Sequence, residues 1–129
     1  MQRQITNLQT DLLNAVGIYF DALHFCDKEL LNRVFHKNSS LFDVDKGHIF
    51  VESIDSFSKD VETRVSPKST RQEPANEILM IDWLSSNCAT VKVRIRIHND
   101  VFVDHLGLVN GEEGWQIVSK IWHLEKRIE

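Results

Sequence analysis

The most regular pattern in the chain is an alternation of apolar and polar positions in its last third. Between Cys88 and His98, Ala89, Val91, Val93, Ile95 and Ile97 alternate with Thr90, Lys92, Arg94, Arg96 and His98. Successive side chains of a strand point to opposite faces, so this period of two predicts an apolar face and a polar one. Ile78–Leu84, Val101–Asn110 and Trp115–Leu124 read as further strands. The first third follows another rhythm. Ile5, Leu8, Leu12, Ala15, Tyr19 and Leu23 recur every three or four residues, the spacing of a helix about five turns long with one buried stripe. Asp11, Asn14 and Asp21 fall on its wet side. Gly17 interrupts this helix at a cost of about 1 kcal/mol relative to alanine, which predicts a close backbone contact there.

Between these regions the pattern is shorter-ranged. Asp27 is placed to cap a second helix, Lys28–Phe35, because its carboxylate can accept from free first-turn amides. Lys37-Asn38-Ser39-Ser40 reads as a breaker. Leu41–Val44 and His48–Val51 flank Asp45-Lys46-Gly47 and predict a hairpin, with Gly47 supplying positive φ. Ser53 is placed to cap a third helix whose Ile54, Phe57 and Val61 share a face. Val65 to Asn76 holds both prolines and no period, so it reads as a long loop of the kind that often covers a site. Helix, helix, hairpin, helix and four strands make an α+β pattern: a curved antiparallel sheet with helices gathered on one side and a cavity between the layers.

Composition narrows the picture. The 129 residues fit one domain, 1–129, around one core. Fifteen basic residues against nineteen acidic give a formal charge of −4, which argues against a nucleic-acid partner. No apolar run is long enough to span a bilayer, and the N-terminus lacks a signal-peptide core, so no membrane partner is expected and the cytoplasm is the expected location. Cys26 and Cys88 are then expected to be free thiols.

The motifs in order are Tyr19-Phe20-Asp21-Ala22-Leu23-His24, Asp27, Phe35-His36, Leu41-Phe42, Arg64-Val65-Ser66-Pro67, Arg71 and Glu77-Ile78-Leu79-Met80-Ile81-Asp82. They continue with Ala89-Thr90-Val91-Lys92-Val93-Arg94-Ile95, Phe102-Val103-Asp104-His105-Leu106-Gly107-Leu108, and the run from Gly114 to His123. This series resembles the nuclear-transport-factor-2-like superfamily, in its branch described as putative lumazine-binding, from about Leu13 to His123. Lys37 stands where that branch tends to have proline. The resemblance implies a cone-shaped curved sheet around the N-terminal helices and a homodimer packed sheet to sheet. It also implies relatives of the ketosteroid isomerase, scytalone dehydratase and SnoaL-like cyclase type.

Asp104 is the first candidate for chemistry. It shares a strand face with Phe102, Leu106 and Leu108; if that face lines the cavity, its carboxylate is placed among apolar groups and is a candidate general base or acid. The same position also suits a plain structural acceptor. Tyr19, on the helical stripe, and His24, at its edge four residues after Phe20, are candidate donors or orienters beside it. Phe20, His36, Asp82, Phe102, Lys120, Trp122 and His123 form a second set of candidate ligand contacts. Lys120 and Trp122 lie on one face of the last strand and His123 on the other, and either face can look toward the helices. A reactive lysine needs burial; an ion-pair role is the plainer reading. The histidines show no close ligand pair and no glycine-rich loop precedes a helix, so neither a metal nor a cofactor is expected. The leading expectation is a cavity protein for a small hydrophobic or aromatic ligand. The alternatives are a cofactor-independent isomerase, dehydratase or cyclase, and a dimeric assembly module without catalysis.

Overall fold

The computed structural model describes residues 2–129, with side chains from Asn7 onward. The helix α1 spans Gln2–Phe25. Leu12, Ala15, Tyr19 and Leu23 of its stripe are buried, joined by Val16, Phe20 and Ala22, while the side chain of Ile5 lies outside the described residues. Gly17 meets no close neighbour: a Cβ there would find nothing within 4 Å, so the expected backbone contact is absent. Asp27 accepts from the Leu30 amide at 3.1 Å and starts α2, Lys28–Val34. Ser53 accepts from the Ser56 amide at 3.1 Å and starts α3, Ile54–Glu62, which buries Ile54, Phe57 and Val61.

Six strands form one sheet: β1 (Phe35–Asp45), β2 (His48–Ser53), β3 (Asn76–Ser85), β4 (Cys88–Ile97), β5 (Asp100–Gly111) and β6 (Gly114–Arg127). Their order is β2-β1-β6-β5-β4-β3. The sheet is mixed, because β1 runs parallel to β6 while all other pairs are antiparallel. The chain arrives at β1 from the helical layer rather than from a hairpin, and this crossover permits the parallel pairing. Lys37–Ser40 does not break the structure. It lies inside β1 as an irregularity, where pairing with β6 jumps from Phe35↔Ile117 to Ser40↔Ser119. The β1–β2 turn holds Lys46 and Gly47 at φ of 51° and 83°, the two positive values a tight hairpin needs.

The alternation in β4 is borne out, with Ala89, Val91, Val93 and Ile95 buried under the helices. Asp104, Leu106 and Leu108 of β5 sit opposite Val93, Val91 and Ala89 on the same inner face. The loop after α3 contains a 3₁₀ turn, Lys68–Thr70. It is tied to the end of β4 through Gln72, which donates to the Arg96 carbonyl and accepts from the His98 amide at 3.0 and 2.8 Å. Cys26 and Cys88 are free and half-buried. No helix of the described residues is long and apolar enough to cross a membrane.

Candidate functional site

A bulge in β6 decides which of its side chains look inward. Leu108 pairs with Ile117 but Gly107 pairs with Ser119, so Val118 is an extra residue on the β6 side. Before it, Trp115 and Ile117 face the core. After it, the inner face passes to Lys120 and Trp122, and Ile121 is left exposed. The two alternating sets on β6 therefore share the inner face in turn. Gly107 makes room for this shift: a Cβ there would lie 2.5 Å from the Ser119 hydroxyl oxygen.

Beyond the bulge the sheet and helices do not close. A cavity of about 390 Å³ remains between them. Asp104 of β5 and Lys120 of β6 sit in its wall with Phe102 and Trp122. Ile95 and Ile97 of β4, Leu23 of α1 and Phe57 of α3 extend the apolar lining. Phe50 and Glu52 come from β2, with the Phe50 ring edge-on to Trp122 at 6.0 Å. Phe50, Asp60 and Arg64 are exposed and mark the mouth, where Arg64 bonds Asp60 at 2.6 Å.

At the inner end lies a triad of polar groups. Tyr19 Oη donates to Asp104 Oδ2 at 2.5 Å across 85 residues of sequence. Asp104 is 1% exposed, and its Oδ1 has no hydrogen-bond partner. Lys120 Nζ stands 4.0 Å from Oδ2, too far for a hydrogen bond, and is ringed by Phe57, Tyr19 and Trp122 at 4.6, 5.3 and 5.8 Å from their centroids. Burial pushes the Tyr19 hydroxyl well above its ordinary pKa, and the Asp104 charge and hydrogen bond push it the same way. Burial lowers the Lys120 pKa. The Asp104 charge opposes that shift, Arg64 adds to it and Glu52 opposes it.

The structure thus brings Asp104, Tyr19, Lys120, Phe102 and Trp122 together, and it separates the other candidates from them. Phe20 is buried behind the site, its ring 6.1 Å from that of Tyr19. His24 is buried but stacks edge-on against Phe25 rather than lining the cavity. The ring of His36 accepts from the Asn38 amide at 3.0 Å inside the β1 irregularity. Asp82 is exposed and pairs with Thr90, and His123 pairs with Val103 on the outer face of the sheet. None of residues 65–75 lines the cavity, so the long loop is not its cover. Sequence reasoning missed Phe50, Glu52 and Arg64. The alternation of Phe50 and Glu52 with Val51 was a usable signal, but only once β2 is known to sit beside β1 and β6. Among the described residues no cluster of three or more His, Cys, Asp or Glu could hold a metal ion.

A mixed curved sheet over three helices, with a cavity between them, defines a nuclear-transport-factor-2-like protein. Residues 8–123 match the family model described as "Putative lumazine-binding", and the chain belongs to that family. An NTF2-like protein of unknown function from Shewanella baltica OS155 superposes with a TM-score of 0.83 at 20% identity, covering 94% of this chain and 96% of that one. An NTF-2 like protein of unknown function from Silicibacter pomeroyi DSS-3 gives 0.78 at 22% identity, covering 93% and 98%. A ketosteroid isomerase-like protein from Erwinia carotovora atroseptica SCRI1043 gives 0.64 at 14%, covering 88% and 92%. No curated protein matches the chain.

Proposed function

We propose that this protein binds a small, flat, mostly apolar molecule in the cavity, with the polar edge of that molecule against Asp104 and Lys120. One observation carries the reading. A buried carboxylate oxygen, Asp104 Oδ1, has no donor, at a cavity lined mainly by apolar and aromatic side chains, with Lys120 beside it and Glu52, Asp60 and Arg64 among the other lining residues. Leaving such an oxygen unpaired costs about 1–3 kcal/mol or more, and a ligand N–H or O–H would recover it. Lys120 Nζ offers the complementary donor to a ligand carbonyl. A ring lactam presents an N–H and a C=O side by side and satisfies both. The lumazine of the family's description is a ring system of this kind, and its fit here is part of the proposal. The cavity volume is within the range of small-molecule sites.

The test is thermal unfolding with lumazine and with benzamide, which carries the same amide groups. Binding to the folded state raises Tm as ligand concentration passes Kd. Asp104→Asn keeps the shape but adds a donor where the ligand donates, and should abolish the shift. No rise with either compound, or an equal rise in Asp104→Asn, would remove the reading.

The Tyr19–Asp104 contact favours a second reading, a cofactor-independent proton-transfer enzyme of the isomerase, dehydratase or cyclase type. Tyr19 would hold Oδ2 while Oδ1 takes the proton. The exposed Val44, Ile49, Val51 and Ile121 on the outer sheet face support a homodimer.

A further inference from the structure

We propose that Lys120 is a covalent site: its amine condenses with an aldehyde or ketone in the cavity to form an iminium ion, with Asp104 carrying the protons. The proposal rests on the ligand-cavity reading and adds a reaction to it. Three observations meet at this residue. Lys120 lines a cavity of about 390 Å³ whose exposed lining residues are Phe50, Asp60 and Arg64. It has no hydrogen bond among the described residues and is instead surrounded by three aromatic rings. A carboxylate with one unpartnered oxygen stands beside it, with Oδ2 at 4.0 Å. Structural lysines end in hydrogen-bonded ion pairs or reach to solvent. An amine held dry next to a proton carrier is the arrangement that makes lysine a nucleophile. Burial lowers its pKa and so raises the fraction of free amine.

The step balances within the site. Asp104 takes one proton from the ammonium, and the nitrogen lone pair attacks the carbonyl carbon, forming the C–N bond and moving the C=O π pair to oxygen. Asp104 delivers its proton to that oxygen and takes a second from nitrogen. It then protonates the hydroxyl, the C–O bond breaks, and water leaves as the nitrogen lone pair completes C=N. One of the three ammonium protons stays on the iminium nitrogen, whose positive charge faces the Asp104 carboxylate. No oxidant, metal or cofactor is required.

Benzaldehyde, which is flat and apolar, is a suitable probe. Cyanoborohydride reduces its iminium to a stable benzylamine, and peptide mass mapping locates the benzyl group. We expect Lys120 to be benzylated at least about tenfold faster than the exposed Lys59, because its amine is held dry beside a proton carrier while that of Lys59 is solvated and paired with Asp55. Benzyl alcohol, which fills similar space but forms no iminium, should slow labelling at Lys120 and leave Lys59 unchanged. Lys120→Met should lose the fast-labelled site. Label on Lys59 as fast as on Lys120, or none on Lys120, would overturn the proposal in the unaltered protein, whether or not the variant folds. If benzyl alcohol raises Tm while benzaldehyde leaves Lys120 unlabelled, the cavity stands and the covalent site falls. If benzyl alcohol neither raises Tm nor protects Lys120, the cavity reading falls as well.

Discussion

Tyr19 is the only tyrosine in the chain, so its ionisation can be followed without overlap from another phenol. Its raised pKa follows from full burial beside a carboxylate. The unfolded chain releases this proton near the ordinary value of 10.0, and the folded chain holds it to higher pH. Above that pH the folded state binds more protons, so Tyr19 contributes stability that is present below pH 10 and lost as pH rises further. Lys120 has the opposite sign. Its pKa is lowered on folding, so between its folded value and the ordinary 10.5 the unfolded state binds the extra proton and stability rises with pH. Asp104, Tyr19, Glu52 and Arg64, with Asp60 behind Arg64, are the ionisable groups that face it. Urea unfolding between pH 8 and 12 should show a rise that Lys120→Met flattens and a later fall that Tyr19→Phe flattens. Phenolate absorbance should appear together with unfolding; its appearance at pH 10 in still-folded protein would contradict the buried placement. At neutral pH, Tyr19→Phe should cost about 1–3 kcal/mol, because the carboxylate loses its one hydrogen bond.

Individual elements separate what the sequence discloses from what it hides. The capped helices and the hairpin turn are legible because Asp27, Ser53 and Gly47 act on their own neighbours. The β4 alternation is legible because one face is dry. The β6 bulge is not. Trp115 to Trp122 carries apolar residues on both alternating sets, and Val118 looks like its neighbours, so no break marks the place where the inner face changes hands. Asp104 and Tyr19 were readable as a pair of buried polar groups on apolar stripes. Phe50 and Glu52 were not readable as their neighbours, because their place depends on a parallel pairing that has no local signal. Two glycines test this scale. Gly17→Ala meets open space inside a helix and should stabilise by about 0.5–1 kcal/mol in denaturant titration. Gly107→Ala drives a methyl onto the Ser119 hydroxyl and should destabilise by about 1–3 kcal/mol. Adding Ser119→Ala should recover most of that loss, a coupling that a double-mutant cycle reads directly. A neutral Gly107→Ala would mean that the hydroxyl swings aside and the close approach does not constrain the bulge.

Across the whole molecule, the outer face of the sheet is more apolar than a free surface calls for. Val44, Ile49, Val51 and Ile121 are each more than half exposed, and Met80 nearly so. Phe42 joins them through its pairs with Val51 and Ile121, which makes a continuous patch over β2, β1 and β6. Large contiguous apolar patches mark association surfaces. One charge cluster on the sheet's polar face is matched within the chain: Arg94 bonds Glu77 at 2.6 Å and Glu125 at 3.0 Å, so covering that cluster strands no unpaired ion there. In the proposed homodimer, a second copy would present the same patch across a two-fold axis. The unaltered protein should therefore run at twice the mass of one chain in light scattering at micromolar concentration, and Ile121→Lys should halve that mass. The inner face is built by different side chains, so the variant should keep its cavity and its ligand response. A single-chain mass for the unaltered protein would remove the homodimer. Loss of ligand response together with the dimer would show that the cavity depends on the second sheet to hold β6 in place.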